Sequence, residues 1–148
     1  MLRKSLLLKL FSSAYMQRWN DKLRPMDLIE LDKQAHKIFI AYFLAKFEEK
    51  NTTINWEELI EGAIFEHLQR IVLTDIKPHI FYRIKQDKQK YKQLNKYIYN
   101  ELKPFLSPLG NDFLDKFQNY FKQEDDTITK RILNAAHVYA SEWEFNLI

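Results

Sequence analysis

Residues 32–45 read DKQAHKIFIAYFLA. Through this run and just ahead of it, apolar side chains recur at three- and four-residue steps, as Leu28, Leu31, Ala35, Ile38, Phe39, Tyr42 and Phe43. That is a helical period, and it predicts a helix with this stripe turned inward. Asp27 with Glu30 three residues on has the form of a capping box, and the charged stretch Glu48 to Asn51 ends the helix. Upstream, Leu6, Leu7, Leu10, Phe11 and Ala14 form the apolar face of a first helix. Downstream, Asn55 can cap a third, with Glu58 at the matching position and Leu59, Ile60, Ala63, Ile64 and His67 as its stripe. A shorter element near Gln69 to Leu73 breaks at Asp75 to Pro78, because proline disfavours helix in the residue before it.

Tyr91, Leu94, Ile98 and Leu102 predict another helix, closed by Pro104. Ser107-Pro108 starts the next, with Phe113, Leu114, Phe117, Tyr120 and Phe121 inward. Asp125 or Asp126 caps the last, whose inner face is Ile128, Ile132, Leu133, Ala136, Tyr139, Ala140 and Trp143. The expectation is an all-α bundle of about six or seven helices, a single domain over residues 1–148.

Composition supports this and removes other classes. Only 2 Gly and 4 Pro occur in 148 residues, while 46% are hydrophobic and 15% aromatic. Turn-rich β folds, disorder and Gly-rich phosphate loops are thereby disfavoured. The absence of cysteine removes thiol nucleophiles, disulfides and thiolate metal sites, and fits a reducing cytoplasm. A net charge of +3 argues against a dedicated nucleic-acid binder. Lys85, Lys88, Lys92 and Lys96 read as a solvated helix flank rather than a nucleic-acid track. Lys9 interrupts the apolar run behind Arg3 and Lys4, and no stretch approaches the roughly 18 apolar residues of a membrane span. A soluble, cytoplasmic protein without a membrane partner is expected.

Four histidines are present, and three of them, His36, His67 and His137, lie on predicted apolar faces, with Glu66 beside His67. His79 follows Pro78 in an expected exposed turn. Imidazole and carboxylate directed inward from three helices can collect a first-row metal. They can equally be core side chains bonded to neighbours, and the spacing leaves both readings open.

Tyr15-Met16-Gln17-Arg18-Trp19, DKQAHKIFIAYFLA (32–45), AIFEHLQRIVLTDI (63–76) and ILNAAHVYASEWE (132–144) together resemble the HD-domain phosphohydrolases. The resemblance is greatest to the bacterial 5'-deoxynucleotidase branch, helical enzymes that remove phosphate from deoxynucleoside monophosphates. It implies that Arg18 contacts phosphate, that Trp19 packs on the sugar and that Asp75 lies near a sugar hydroxyl. It also implies a divalent metal that activates water, held by a His, a His-Asp pair and an Asp. At those ligand positions this chain has Lys33 (with His36 one turn on), Glu66-His67 and His137, and Arg70 stands at the family's glutamate position. The chain stops at Ile148, short of the branch's usual length, which implies that a closing C-terminal segment is missing.

Two accounts of these departures follow. In one, His36, Glu66, His67 and His137 re-ligate one divalent transition metal, and the protein is an active nucleotide phosphohydrolase. In the other, which the cations favour, no metal binds and a buried Lys33–Glu66 pair replaces its charge. The second account predicts a pocket for a deoxynucleoside monophosphate or other phosphorylated small molecule, with weak or absent hydrolysis. A non-catalytic interaction module is the further alternative, and a homodimer is compatible with any of the three.

Overall fold

The computed structural model describes residues 3–122 and 126–148. Seven α-helices follow in order: α1 Lys4–Phe11, α2 Glu30–Glu48, α3 Trp56–Leu73, α4 Pro78–Gln86, α5 Lys88–Leu106, α6 Asn111–Tyr120 and α7 Ile128–Phe145. Among the described residues there is no strand, only an isolated antiparallel bridge between Gln17 and Ile29. The all-α bundle expected from the sequence is the observed architecture.

The most extensive helix contact runs between α2 and α7, and α3 packs on both α7 and α5. The core is built from Leu68 and Ile71 of α3, Ile98, Leu102 and Leu106 of α5, Phe117 of α6, and Leu133 and Ala136 of α7. Phe65 sits among the rings of Phe113, Phe117 and Tyr120 at centroid distances of 5.5–5.6 Å. These edge-to-face arrangements suit the ring quadrupoles. Asn55 caps α3 as expected, accepting from Glu58 N at 3.1 Å.

Several expectations are corrected. No capping box starts α2: Ile29 occupies the cap position and Asp27 is exposed. The backbone does that work instead, since Glu30 N donates to Met16 O at 2.8 Å. The α2 face is inverted. Leu31, Ile38, Phe39, Tyr42 and Phe43 are exposed, whereas Glu30, Lys33, Gln34, Lys37, Ala41 and Ala45 are buried. Ile60 and Ile64 of α3 and Tyr139 and Trp143 of α7 also face outward. α3 continues unbroken to Leu73 and stops at Thr74, whose φ is +55°. Pro78 then starts a helix, α4, that was not expected; a first-turn proline loses no intrahelical bond. α5 passes through Pro104 to Leu106, and a short 3-10 turn over Ser107–Leu109 with Gly110 at φ +95° precedes α6. Thr127 caps α7, accepting from Lys130 N at 3.2 Å; Asp125 lies outside the described residues.

Gly62, within α3, marks a close approach to α6 and α7. A Cβ there would fall 2.8 Å from Leu133 Cδ1 and 3.0 Å from Tyr120 Cε2. On a free helix surface Gly→Ala stabilises by about 1 kcal/mol. Gly62→Ala is expected to do the opposite, lowering the urea-unfolding free energy by about 1–2 kcal/mol through overpacking.

Candidate functional site

The bridge between Gln17 and Ile29, with Arg18 N donating to Leu28 O at 2.7 Å, sets Arg18 over the first turn of α2. Its Nη1 donates to Glu30 Oε2 at 2.7 Å, and its Nε donates to both oxygens of Glu144, each at 3.0 Å. Trp19, at φ +57°, donates its indole N–H to Glu144 Oε2 at 2.8 Å. Gln34 donates to the other oxygen of Glu30. Arg18, Glu30 and Glu144 are all buried. Burial works against the Arg18 charge, but the two carboxylates more than offset it and raise its pKa. Burial likewise pushes Glu30 up, and the Arg18 charge with the Gln34 bond brings it below the usual carboxylate range.

Next to this bracket, side chains of α2, α3, α4 and α7 line a cavity of about 690 Å³. That is the size of small-molecule pockets. Lys33, Lys37, Arg70 and Lys130 bring cations to it, while Phe81, Tyr82, Tyr91 and Phe121 make an aromatic wall. Lys37 is ion-paired with Glu66, whose other oxygen accepts from Tyr120 Oη at 2.7 Å. Burial raises the Glu66 carboxyl, but Lys37 and Tyr120 together hold it below its ordinary range. Lys33, only 2% exposed, has its Nζ 3.1 Å from His137 Nδ1. Burial, then the Arg18 and Arg70 charges, drive the Lys33 pKa well below that of a free lysine. Burial, then the Lys33 and Lys37 charges, lowers the His137 pKa, and its Nδ1 shares a hydrogen bond with Lys33 Nζ. The Arg70 guanidinium lies 4.5 Å from the Phe81 ring centre. Among the described residues, no carboxylate is within ion-pair distance of it.

A family model described as 5'-deoxynucleotidase YfbR-like matches residues 7–140, from within α1 to within α7. The chain belongs to the YfbR-like 5'-deoxynucleotidase family. No curated protein and no solved structure matches it. In this YfbR-like protein the four residues expected to re-ligate a metal are not gathered. His36 is exposed, its ring edge-on to Trp143 at 4.9 Å. His137 meets Lys33, and Glu66 meets Lys37. His67 keeps a buried Nδ1 without a hydrogen-bond partner. Among the described residues, no three His, Asp or Glu side chains converge on one point, so the residues present do not fit a divalent ion.

The expected Lys33–Glu66 pair is also corrected. Lys37, one turn further along α2, is level with Glu66, while Lys33 is level with His137 of α7. Of the residues on which the resemblance bears, Arg18, Lys33, Glu66, Arg70 and His137 line the cavity, whereas Trp19, His36, His67 and Asp75 do not. Trp19 adjoins Arg18, and Asp75 adjoins the lining residue Ile76, its Oδ2 accepting from the Asn20 backbone and side chain at 3.3 and 3.2 Å. His79 is exposed as expected, but on α4 and at the cavity. Sequence reasoning missed Lys37, Lys130, Asn134 and Ser141. A signal existed, since Lys130, Asn134, His137 and Ser141 recur at helical spacing as a polar stripe on α7.

Glu66→Ala would leave Lys37 buried without its counter-charge and is expected to cost about 3 kcal/mol or more. Glu61→Ala, which removes a surface partner of Lys116, should cost within about half a kcal/mol in the same urea titration.

The histidines give a pH dependence. Burial is the main reason that His67 and His137 both stay neutral in the fold, with pKa values below the unfolded value of about 6.5. As pH falls through that value the unfolded chain takes up protons first. Stability is therefore expected to fall below about pH 6.5, by up to ~1.4 kcal/mol per pH unit for each histidine. His137→Gln should make that slope shallower in urea unfolding at stepped pH.

Proposed function

We propose that the cavity binds the phosphate of a deoxynucleoside monophosphate directly through side-chain cations, with no metal and with weak or absent phosphohydrolase activity. Arg70 is the observation that carries this reading. A guanidinium does not deprotonate in a protein, and this one faces a ligand-sized cavity with no carboxylate in ion-pair reach among the described residues. A buried cation that no carboxylate pairs directly, with Glu30 and Glu66 acting on it only from further off, is stabilised by a bound anion. Lys33 lies on the same lining as a hydrogen-bond donor, and the aromatic wall of Phe81, Tyr82 and Tyr91 offers a stacking face for a base or sugar.

Arg18 serves this site as the fixed end of the bracket, and Trp19 and Asp75 frame its edge. Hydrolysis needs an activated water. The dispersed histidines supply no ligand set for a Lewis acid, and Arg70 cannot act as a base where the family has glutamate. The same reading takes residues 1–148 as one domain, supported by a core cluster with members from α1, α2, α3, α5, α6 and α7. It places the protein in the cytoplasm, supported by the absence of cysteine. Among the described residues, no helix is long and apolar enough to cross a membrane.

Isothermal titration with deoxynucleoside monophosphates in the presence of a chelator tests this reading. Binding is expected at high micromolar to millimolar strength, unchanged by the chelator, and lost in Arg70→Ala while the far-UV spectrum is retained. Binding that requires added zinc, manganese or cobalt, or phosphate release on adding them, would instead establish the metal-dependent hydrolase.

A further inference from the structure

The net charge of +3 is unevenly distributed. Residues 77–103, which contain α4 and α5, hold eight Lys or Arg against two Asp or Glu, a net +6, so the rest of the chain sums to −3. Lys88, Lys92 and Lys96 stand at four-residue steps on one flank of α5, and all three are exposed. At about 1.5 Å of rise per residue each step is about 6 Å, close to the spacing of neighbouring phosphates along an extended single strand. Among the described residues no carboxylate is within ion-pair distance of these three, whereas Lys77 and Lys90 are paired with Asp21 and Asp87. Lys103 continues the line past Tyr99, its Nζ 5.9 Å from that ring's centre.

This stripe begins where the cavity ends. Lys85, Gln86 and Tyr91 line the cavity around the α4–α5 junction, and Lys88 is three residues before Tyr91. Asn95, one turn beyond Tyr91, accepts from the lining residue Gln69 at 2.8 Å, so the flank of α5 that carries the lysines borders the cavity.

We propose that α5 tracks the backbone of a single-stranded nucleic acid whose 5'-phosphorylated terminal nucleotide occupies the cavity. This rests on the reading of the cavity as a nucleotide site. With the 5'-phosphate on Arg70, the 3'-oxygen is the position from which a strand continues, and the lysines stand in series outside to meet the phosphates that follow. A cationic track joined to an aromatic stacking wall is the combination that single strands need. A duplex end would first have to unstack and unpair its terminal base to reach that wall. The exposed side chains beside the lysines are Gln89, Gln93, Tyr97 and Asn100, which give no continuous apolar face to enter a lipid surface.

The test is isothermal titration of the full chain, with chelator present, against thymidine 5'-monophosphate and 5'-phosphorylated oligothymidylates of increasing length. The tetranucleotide is expected to bind at least tenfold more tightly than the monophosphate. Its log–log salt dependence should be steeper by about 2, at about 0.7 for each of three neutralised phosphates. Removing its 5'-phosphate, or Arg70→Ala, should cost about tenfold. The triple variant Lys88→Gln, Lys92→Gln, Lys96→Gln should bind the monophosphate as the wild type does and the tetranucleotide no better. Equal affinity for the two ligands would overturn the track while leaving the cavity reading intact. Binding of neither would overturn both. Tetranucleotide binding that needs the lysines but ignores the 5'-phosphate and Arg70 would overturn the placement of the terminus. Lysine-dependent binding to phosphatidylglycerol vesicles, without binding to oligonucleotides, would assign the stripe to a lipid surface and overturn the proposal.

Discussion

The Arg18 guanidinium between Glu30 and Glu144 sets the geometry of the rest. It joins the chain ahead of α2, the first residue of α2 and the last turn of α7 at one buried point. Such a triad is a poor source of net stability, because the desolvation of three charges offsets much of their attraction. Its effect is positional. The two carboxylates can be buried only if the guanidinium lies between them, so α2 and α7 are fixed in rotation and in height. The rotation that turns Glu30 inward also turns in Lys33, Gln34 and Lys37, which follow at three- and four-residue steps.

That rotation explains both faces of α2. Lysines are tolerated inside because each has a specific accommodation. Lys37 has the Glu66 carboxylate, and Lys33, whose pKa burial lowers, shares a hydrogen bond with the His137 imidazole. The aromatic residues left outside are the other side of the same geometry. A helix whose inner face is given to a polar cavity has its apolar side chains on the outer face.

The helices themselves were legible in the sequence, because period, the Asn55 cap and the scarcity of glycine all act locally. The orientation of α2 was not. Apolar period identifies a stripe, and burying that stripe is the usual outcome; here the polar stripe won because long-range ion pairs with Arg18 and Glu66 hold it inside. α4 was missed for a related reason, since Pro78 was read as a break and a proline can equally begin a helix. The identity of the Glu66 partner was beyond reach in principle. Lys33 and Lys37 share one helix face, and which of them meets Glu66 depends on the axial offset of α2 against α3. Arg70 was legible as a cation near the centre, but its lack of a paired carboxylate became visible only with the neighbours in place.

A divalent ion does two separate things for a phosphate ester: it neutralises charge and it lowers the pKa of a bound water. Side-chain cations do only the first. Arg70 offers a planar fork of donors to phosphate oxygens, and Lys33 adds a donor beside it. Neither generates hydroxide near neutral pH. On the proposed reading, affinity and hydrolysis are therefore separable in this scaffold. Burial, then the Arg18 and Arg70 charges, lowers the Lys33 pKa, and a bound dianion would act against those two charges. Ligand binding would then raise the Lys33 pKa.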